Sequence, residues 1–545
     1  EITDQAQLQN TIDYINHNRA KHQLPHNKTL QAHIDTLVCS YEQAFATEYK
    51  GGFDVVIGNP PYVRQELISE FKPFFKKAFK TYSTSADLYT YFIEMGVDKL
   101  ISDTGVYSII VGNKWMRARF ATELRKWMKE KHILEMIDFG DLPVFENVAA
   151  YPVIVTLKKK ASNTGNLFYA CEPKNLRFDD LNLLVRNTRF KVDVNELKDD
   201  GWSLVNKDTS NLLAKLKKNG TPLTQFVNKA IYYGIKTGFN DAFVIDGSKR
   251  EELIKADPKS AEIIKPFLAG RDVKRYYVDF QNAYLILIPN GFTNAKRGDL
   301  NAEQYLSTNY PAIFSHLRQF EVKCRKRYDQ GEYWWELRAC DYYPEFEKTK
   351  IEVASISIKP AFTLSYDGHY SNDKTTIVGS DSKALLAMLN SAVSFFFIKN
   401  TASTKSGGFY EYKPMYISQF PIPKDIEKPT LVELVNKIET ELKNSNQIVT
   451  GFLQLLQSKF SIDKPSKKLQ NWSALDFKGF LAELKKKKVK LSLEEEAEWM
   501  GYFNKKKTEA NALQVEIDRI DREIDQMVYE LYGLTQEEIE IVENA

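Results

Sequence analysis

Phe53-Asp54-Val55-Val56-Ile57-Gly58-Asn59-Pro60-Pro61-Tyr62 is the stretch from which the fold is read. A short apolar run of this kind suits a buried parallel strand. It ends at Asn59, and two prolines then turn the chain at once, because neither can donate to a ladder and each restrains the residue before it. In open α/β sheets, ligands bind just outside the carboxyl ends of the strands. An amide, a rigid turn and an aromatic ring therefore stand where a site belongs. A plain strand-to-helix turn with a buried tyrosine is the alternative, and the strand that precedes the turn argues against it.

Outward from this point the pattern alternates. A helical stretch covers 87–100, a second buried strand 106–111 and an amphipathic helix 116–130. Two more strands fall at 133–139 and 152–159. Strands alternating with helices predict an open α/β sheet. Upstream, residues 1–50 form a helical lead-in, with Leu30, Ile34, Leu37, Val38, Tyr41 and Phe45 at helical spacing. His17, His22, His26 and His33 lie there too, but no cysteine or acidic pattern completes a metal site, so none is expected. Downstream, 161–199 is polar and reads as a connection. Residues 200–425 are a second, mixed α+β domain, rich in aromatics, Gly and Pro.

Residues 426–545 are helical. Leu431, Leu434, Val435, Ile438 and Leu442 form one stripe. Leu513, Ile517, Ile520, Ile524, Met527, Val528 and Leu531 form a heptad seam, which predicts paired helices folded back as a hairpin. Gly533 can end the last long helix, and Thr535 with Glu538 can box the start of the next. The runs Lys485–Lys488 and Lys505–Lys507 read first as solvated helix faces, with phosphate contact as the alternative.

Composition excludes little. The 545 residues are 43% hydrophobic and 27% charged, as in an ordinary globular protein. The 75 basic and 72 acidic residues leave a net charge of +3, so clustering matters more than the total. Cys39, Cys171, Cys324 and Cys340 make no CxxC pair, which suits reduced thiols in a cytoplasmic protein. No apolar run approaches the ~20 residues of a membrane helix.

The Asn59–Tyr62 string resembles the (Asn/Asp)-Pro-Pro-(Tyr/Phe) motif of amino-group DNA methyltransferases. Ala86-Asp87-Leu88-Tyr89-Thr90-Tyr91-Phe92 resembles the helix that follows in that family. Gly105–Val111 with Asn113-Lys114-Trp115 resembles the next strand and its loop, and the segment from Val144 to Ile154 the last family motif. The likeness is greatest to the gamma-class, Taq-type branch, whose target-recognition domain follows the catalytic domain, as in type IIG restriction-modification enzymes. It implies a partial Rossmann-like methyltransferase sheet over 51–160, a target-recognition domain over 200–425 and helices after it. It implies methyl transfer from S-adenosylmethionine to the exocyclic amine of a flipped adenine in double-stranded DNA. Asn59 and the Pro60 carbonyl would accept the two amine N–H groups, with Pro61 stiffening the turn. Tyr62 would stack on the base and Phe145 would contact its other face; a plain core aromatic is the alternative for Phe145.

One part of that family pattern has no counterpart. The glycine-rich cofactor loop should lie upstream of Asn59, and residues 1–50 contain none. Nor is there the acidic residue that holds the cofactor ribose. Without the first strands, the sheet would carry an exposed edge. The expectation is therefore that the missing half lies upstream or in a partner chain, and that the donor site is incomplete here. Mg2+ would matter only if a nuclease domain is fused upstream.

In the second domain, the segments from Tyr233 to Phe243, Phe267 to Val273 and Trp334 to Arg338 resemble the Taq-type recognition domain, as do Leu385–Ser391 and Gly407–Tyr410. The chemistry adds candidates. Lys323, Arg325 and Arg327 cluster beside Tyr328, Trp334 and Trp335, with Arg338 close behind. Lys236 and Thr237 sit between glycines, where the backbone can approach DNA, and Lys405 and Tyr410 flank another glycine pair. With Arg271 these are the expected DNA contacts. Trp334 and Trp335 read equally as core. Other readings are a DNA-recognition module that transfers nothing, a glutamine methyltransferase sharing Asn-Pro-Pro-Tyr but too short to match, and cytosine-N4 methylation.

Overall fold

The computed structural model describes residues 52–145, 151–160, 167–199, 201–366, 368–405, 407–462 and 464–544. The expected helical lead-in, with its four histidines and Cys39, lies outside them. The chain divides into two compact units, one ending at Asp208 and the other beginning at Thr209.

The first unit is a six-stranded mixed sheet. Its elements are β1 (Phe53–Gly58), α1 (Lys72–Ala78), α2 (Tyr89–Met95), β2 (Ile101–Gly112), α3 (Thr122–Lys129), β3 (His132–Asp138), β4 (Pro152–Lys158), β5 (Leu167–Cys171), α4 (Leu181–Thr188) and β6 (Phe190–Asp193). The spatial order is β1-β2-β4-β3-β5-β6. β1 runs parallel to β2, β4 is antiparallel to both β2 and β3, and β5 is parallel to β3. So β1, β2 and β3 all point their carboxyl ends at one edge.

Residues at every second position of β2 and β4 build the core: Tyr107, Ile109 and Val111, then Val153, Val155 and Leu157. Leu124, Trp127 and Met128 of α3 cover them, spaced three and four apart. Buried Arg125 on the same helix donates to the carbonyls of Trp115, Ala118 and Asp199. β1 differs from the rest. It is the edge strand, and Val55 and Ile57 are 65% and 77% exposed.

Residues 161–199 were expected to be a connection. Instead β5 and β6 extend the sheet, with β6 antiparallel to β5 and Phe168, Ala170 and Val192 in the same core. Strands of five and four residues show too few alternations to stand out from polar neighbours.

The boundary falls in the first turn of α5 (Lys207–Asn219), and the second unit contains two small four-stranded sheets. Their strands are β7 (Ile231–Tyr233), β8 (Val244–Asp246), β9 (Ile264–Leu268), β10 (Ala283–Ile286), β11 (Lys350–Ala354), β12 (Thr363–Ser365), β13 (Tyr370–Ser371) and β14 (Thr375–Val378). One sheet has the order β13-β9-β10-β8, the other β12-β11-β14-β7. Helices α6 (Lys383–Asn390) and α7 (Ala392–Thr401) are largely buried.

Two long helices, α8 (Pro429–Phe460) and α10 (Leu493–Tyr532), pack on each other, with α9 (Phe477–Lys486) between them in the chain. Leu431, Leu434, Val435 and Ile438 of α8 share a core with Ile517, Ile520, Ile524 and Val528 of α10. Gly533 ends α10 at φ +61°, and Thr535 and Glu538 form a capping box on α11 (Gln536–Glu543). Among the described residues, no single helix is long and apolar enough to cross a membrane. Nor is any group of three His, Cys, Asp or Glu placed to hold a metal ion.

Candidate active site and nucleic-acid interface

Strand β1 delivers Asn59 to the carboxyl edge of the sheet. Pro60 is buried, while Asn59 and Pro61 face solvent. The loop is pinned from below: Val63 O accepts the Leu88 amide (3.2 Å), and Val63 packs, with Phe75 and Leu88, against the small core of Ile68, Ala86 and Tyr91. Tyr91 in turn stacks on Phe75 at 4.4 Å. The Glu94 carboxylate of α2 accepts the amides of Lys80 and Thr81, locking α2 to the end of α1. The segment from Ala86 to Phe92 is therefore the support on which the turn rests.

Tyr62 is 46% exposed. Its ring lies 6.1 Å from that of Tyr89, tilted by 52°. It also lies over Gly112: a Cβ there would sit 3.6 Å from Tyr62 Cε1. The Tyr89 hydroxyl is buried without a hydrogen-bond partner, and burial raises its pKa far above the usual phenol range. Burial also pushes the Asp87 carboxyl up, against the opposing charge of Lys114.

Two further polar residues close strands at this edge. Asn113 follows β2, and its Nδ2 donates to Asp138 Oδ1 at 2.9 Å; the Gly140 amide donates to the same oxygen at 2.9 Å. The Asn113 amide donates to Tyr151 O (2.6 Å) and the Phe139 amide to Pro152 O (3.0 Å), which stitches the ends of β2, β3 and β4 together. Asp138 is buried, and that burial raises its pKa despite these donors and Arg117. The segment leaving β3 carries Phe145, which is half-buried, and Val144 packs beside Ile137 and Phe139. The topology thus brings Asn59, Tyr62, Asn113, Asp138 and the Phe145 segment to one edge. Asp138 escaped the sequence reading. Its signal was a lone acid closing an apolar strand.

In the second unit, the loop after β7 packs against the loop around residue 328. Gly238 is needed there: it sits at φ +72°, and a Cβ would lie 2.9 Å from Asp329 O. Arg327 joins the two loops. Its guanidinium donates to Thr237 O (2.6 Å), Trp334 O (2.6 Å), Glu336 O (2.9 Å) and Cys324 O (3.2 Å). Arg327 is buried, so it braces the loops and is not a surface contact, which corrects the sequence expectation. Thr237 is corrected likewise: its side chain is buried and donates to Asn240 Oδ1 at 2.5 Å. Trp334 and Trp335 take the core reading.

What remains at the surface is Lys236 and Arg338, which share the Asp329 carboxylate at 2.6 and 3.3 Å and hold it below the usual range. Tyr328 beside them is 98% exposed. Lys323 lies over the Phe239 ring, and Arg325 pairs with Glu321. Arg271 is exposed beside Asp272. Lys405 pairs with Glu411 near Tyr410, whose ring meets Phe395 edge-on.

Comparison with known proteins agrees with this order of parts. Residues 2–145 match the Eco57I restriction-modification methylase family and residues 265–422 the TaqI-like C-terminal specificity domain. Residues 424–528 match a domain of unknown function. The Type II methyltransferase M.PaeR7I of Pseudomonas aeruginosa is 24% identical over 425 residues, 73% of this chain and 70% of that protein. The Type II restriction enzyme and methyltransferase RM.Eco57I of Escherichia coli is 25% identical over 287 residues, 50% of this chain and 28% of that protein. Among solved structures, the Type IIL restriction-modification enzyme MmeI, in complex with DNA, is alike in fold. Its TM-score is 0.51 at 11% identity, over 90% of this chain and 56% of that one. The methylase match contains the Asn59–Tyr62 turn and the specificity match follows it, so this chain has the build of a type IIG-like restriction-modification DNA methyltransferase.

Proposed function

We propose that the chain grips a flipped adenine at Asn59–Tyr62 and directs its N6 amine to methylation, at a DNA site chosen by the second unit. The observation that carries this is the exposed Asn59 amide and adjoining Pro60 carbonyl at the carboxyl end of β1, beside the half-exposed Tyr62 ring. An exocyclic amine is a poor nucleophile because its lone pair is conjugated with the ring. Two acceptors on its two N–H groups favour a tetrahedral nitrogen whose lone pair points outward. Asn59 Oδ1 and Pro60 O are such a pair, fixed by the prolines and by the helix below. Tyr62 offers one ring face to a base that has left the duplex stack, and Phe145 is proposed for the other face.

S-adenosylmethionine, the donor in the methyltransferases this chain resembles, would supply the methyl group. The described residues fit the base side of such a site and not the donor side. Gly58, Gly112 and Gly140 stand singly at the edge, and no glycine-rich loop follows a strand among the described residues of the first unit. The outer edge of β1, with Phe53, Val55 and Ile57 exposed, is an apolar strand of the kind a sheet covers. We assign that edge to the donor-binding half, upstream or in a partner chain. A nuclease fused to that half, with Mg2+, is part of the same proposal, and RM.Eco57I is a relative whose name carries both activities.

The test is methyl transfer to mixed-sequence duplex DNA, with the modified nucleoside identified by mass spectrometry. N6-methyladenine, formed by this chain together with its donor-binding half, is the expected product. N4-methylcytosine would overturn the adenine assignment. DNA binding without any transfer would leave a recognition module.

A further inference from the structure

The chain carries a net charge of only +3, yet residues 459–490 hold ten lysines against Asp463, Asp476 and Glu483. The remainder of the chain is therefore net acidic, and the positive charge is concentrated in one short segment. That segment links α8 to α10, through a single helical turn (Lys467–Gln470) and α9. Its inner side is packed. Trp472 stacks on Phe452 at 3.9 Å, Phe480 stacks on Phe503 at 4.9 Å, and Leu469 and Leu484 are buried with them. Every lysine between 459 and 490 is exposed.

The acids do not neutralise this surface. Asp476 caps α9 by accepting the Gly479 amide at 2.7 Å. Glu483 accepts the Ser466 hydroxyl at 2.6 Å and pairs with Lys486 at 2.7 Å. That carboxylate has a second effect. It ties the turn that carries Lys467 and Lys468, with Lys464 just before it, to the last turn of α9, where Lys485 lies and Lys487 and Lys488 follow, so one hydrogen bond joins two lysine groups far apart in sequence. Among the described residues, none of these six forms an ion pair. A helix C-terminus favours a cation or two in its last turn, but Lys464, Lys467 and Lys468 precede or open a helical turn, where the dipole opposes them. Unpaired like charges concentrated in one short, exposed segment repel, and a polyanion relieves the repulsion.

We propose that this segment is a second DNA-binding surface, one that holds duplex phosphates without reading bases. It rests on the reading of the chain as a DNA methyltransferase, and it lies outside the specificity match. Lysine is suited to it: an ammonium is a point charge that meets phosphate from any direction, whereas base reading favours planar, bidentate groups.

The experiment measures affinity of the full chain for a labelled mixed-sequence duplex across potassium chloride from about 50 to 200 mM, where each phosphate contact adds about 0.9 to the log–log slope. The variant carries Lys467→Gln, Lys468→Gln, Lys485→Gln, Lys487→Gln and Lys488→Gln and keeps Lys486 for Glu483. Its slope should fall by about 1 per contacting lysine, roughly 3 to 5 in all, with affinity at least about tenfold weaker at 150 mM. Circular dichroism and the thermal midpoint should match the parent. An unchanged slope and affinity would overturn the second surface and leave the methyltransferase reading intact, whereas a parent chain that binds no duplex would remove both. Binding to phosphatidylserine vesicles that the five substitutions abolish, with duplex binding untouched, would overturn it in favour of a membrane.

Discussion

The turn at Asn59–Tyr62 and the basic loops around Arg327 were read from the sequence as the same kind of object, polar groups presented to DNA. They are opposites. At the turn, the Asn59 amide has no hydrogen-bond partner among the described residues, and the stabilising contacts come from Val63 and the Tyr91–Phe75 stack beneath it. In the loops, the Arg327 guanidinium is spent on four carbonyls and holds the surface that Lys236, Tyr328 and Arg338 occupy. A residue kept for a ligand is left unsatisfied at low cost because water can serve it. A buried cation left so would be costly, so the fold satisfies it internally.

Substitutions should separate the two kinds. Arg327→Met leaves several buried carbonyls unpaired and should cost about 3–5 kcal/mol in denaturant unfolding. A cost below about 1 kcal/mol would mean that the loops are held by something else. Asp138→Ala removes the acceptor of both Asn113 and Gly140 and should cost about 1–3 kcal/mol. The support of the site would then be weakened while Asn59 itself is untouched.

Asp525 on α10 accepts the Ala392 amide at 2.7 Å, and burial pushes its carboxyl up to about 6. An acid whose folded pKa lies above its unfolded value binds more protons in the native state between those two values. Stability should therefore fall as pH rises from about 4 to about 6 and level off above that. Asp525→Asn should lose that slope and gain on the order of 1 kcal/mol at pH 8, measured by unfolding across pH. An unaltered pH profile would remove Asp525 as its source. Smallest of all, Lys236→Gln should lower the salt slope of DNA binding by about 1 and leave stability within about 0.5 kcal/mol. A large stability loss there would place Lys236 with Arg327.

Much of the first unit was legible because its signals are local. The run from Phe53 to Gly58 is apolar, the prolines stop it, and four of the six strands announce themselves by length. β5 and β6 did not, being short and flanked by polar residues. The capping of α11 by Thr535 and Glu538 was readable for the same local reason. Arg327 was misplaced within the basic cluster because sequence gives charge but not direction: Lys236 faces out and Arg327 faces in, and only the packing of Trp334 and Gly238 decides which. Asp138 was hidden because its partner, Asn113, is supplied by another strand.

The central claim is that Asn59 acts on the amine and on nothing else. Asn59→Ala, measured with the donor-binding half present, should reduce methyl transfer by at least about a hundredfold, as loss of one preorganised polar group does. Duplex affinity and unfolding free energy should stay at the parent's values. Transfer at the parent's rate would contradict the account.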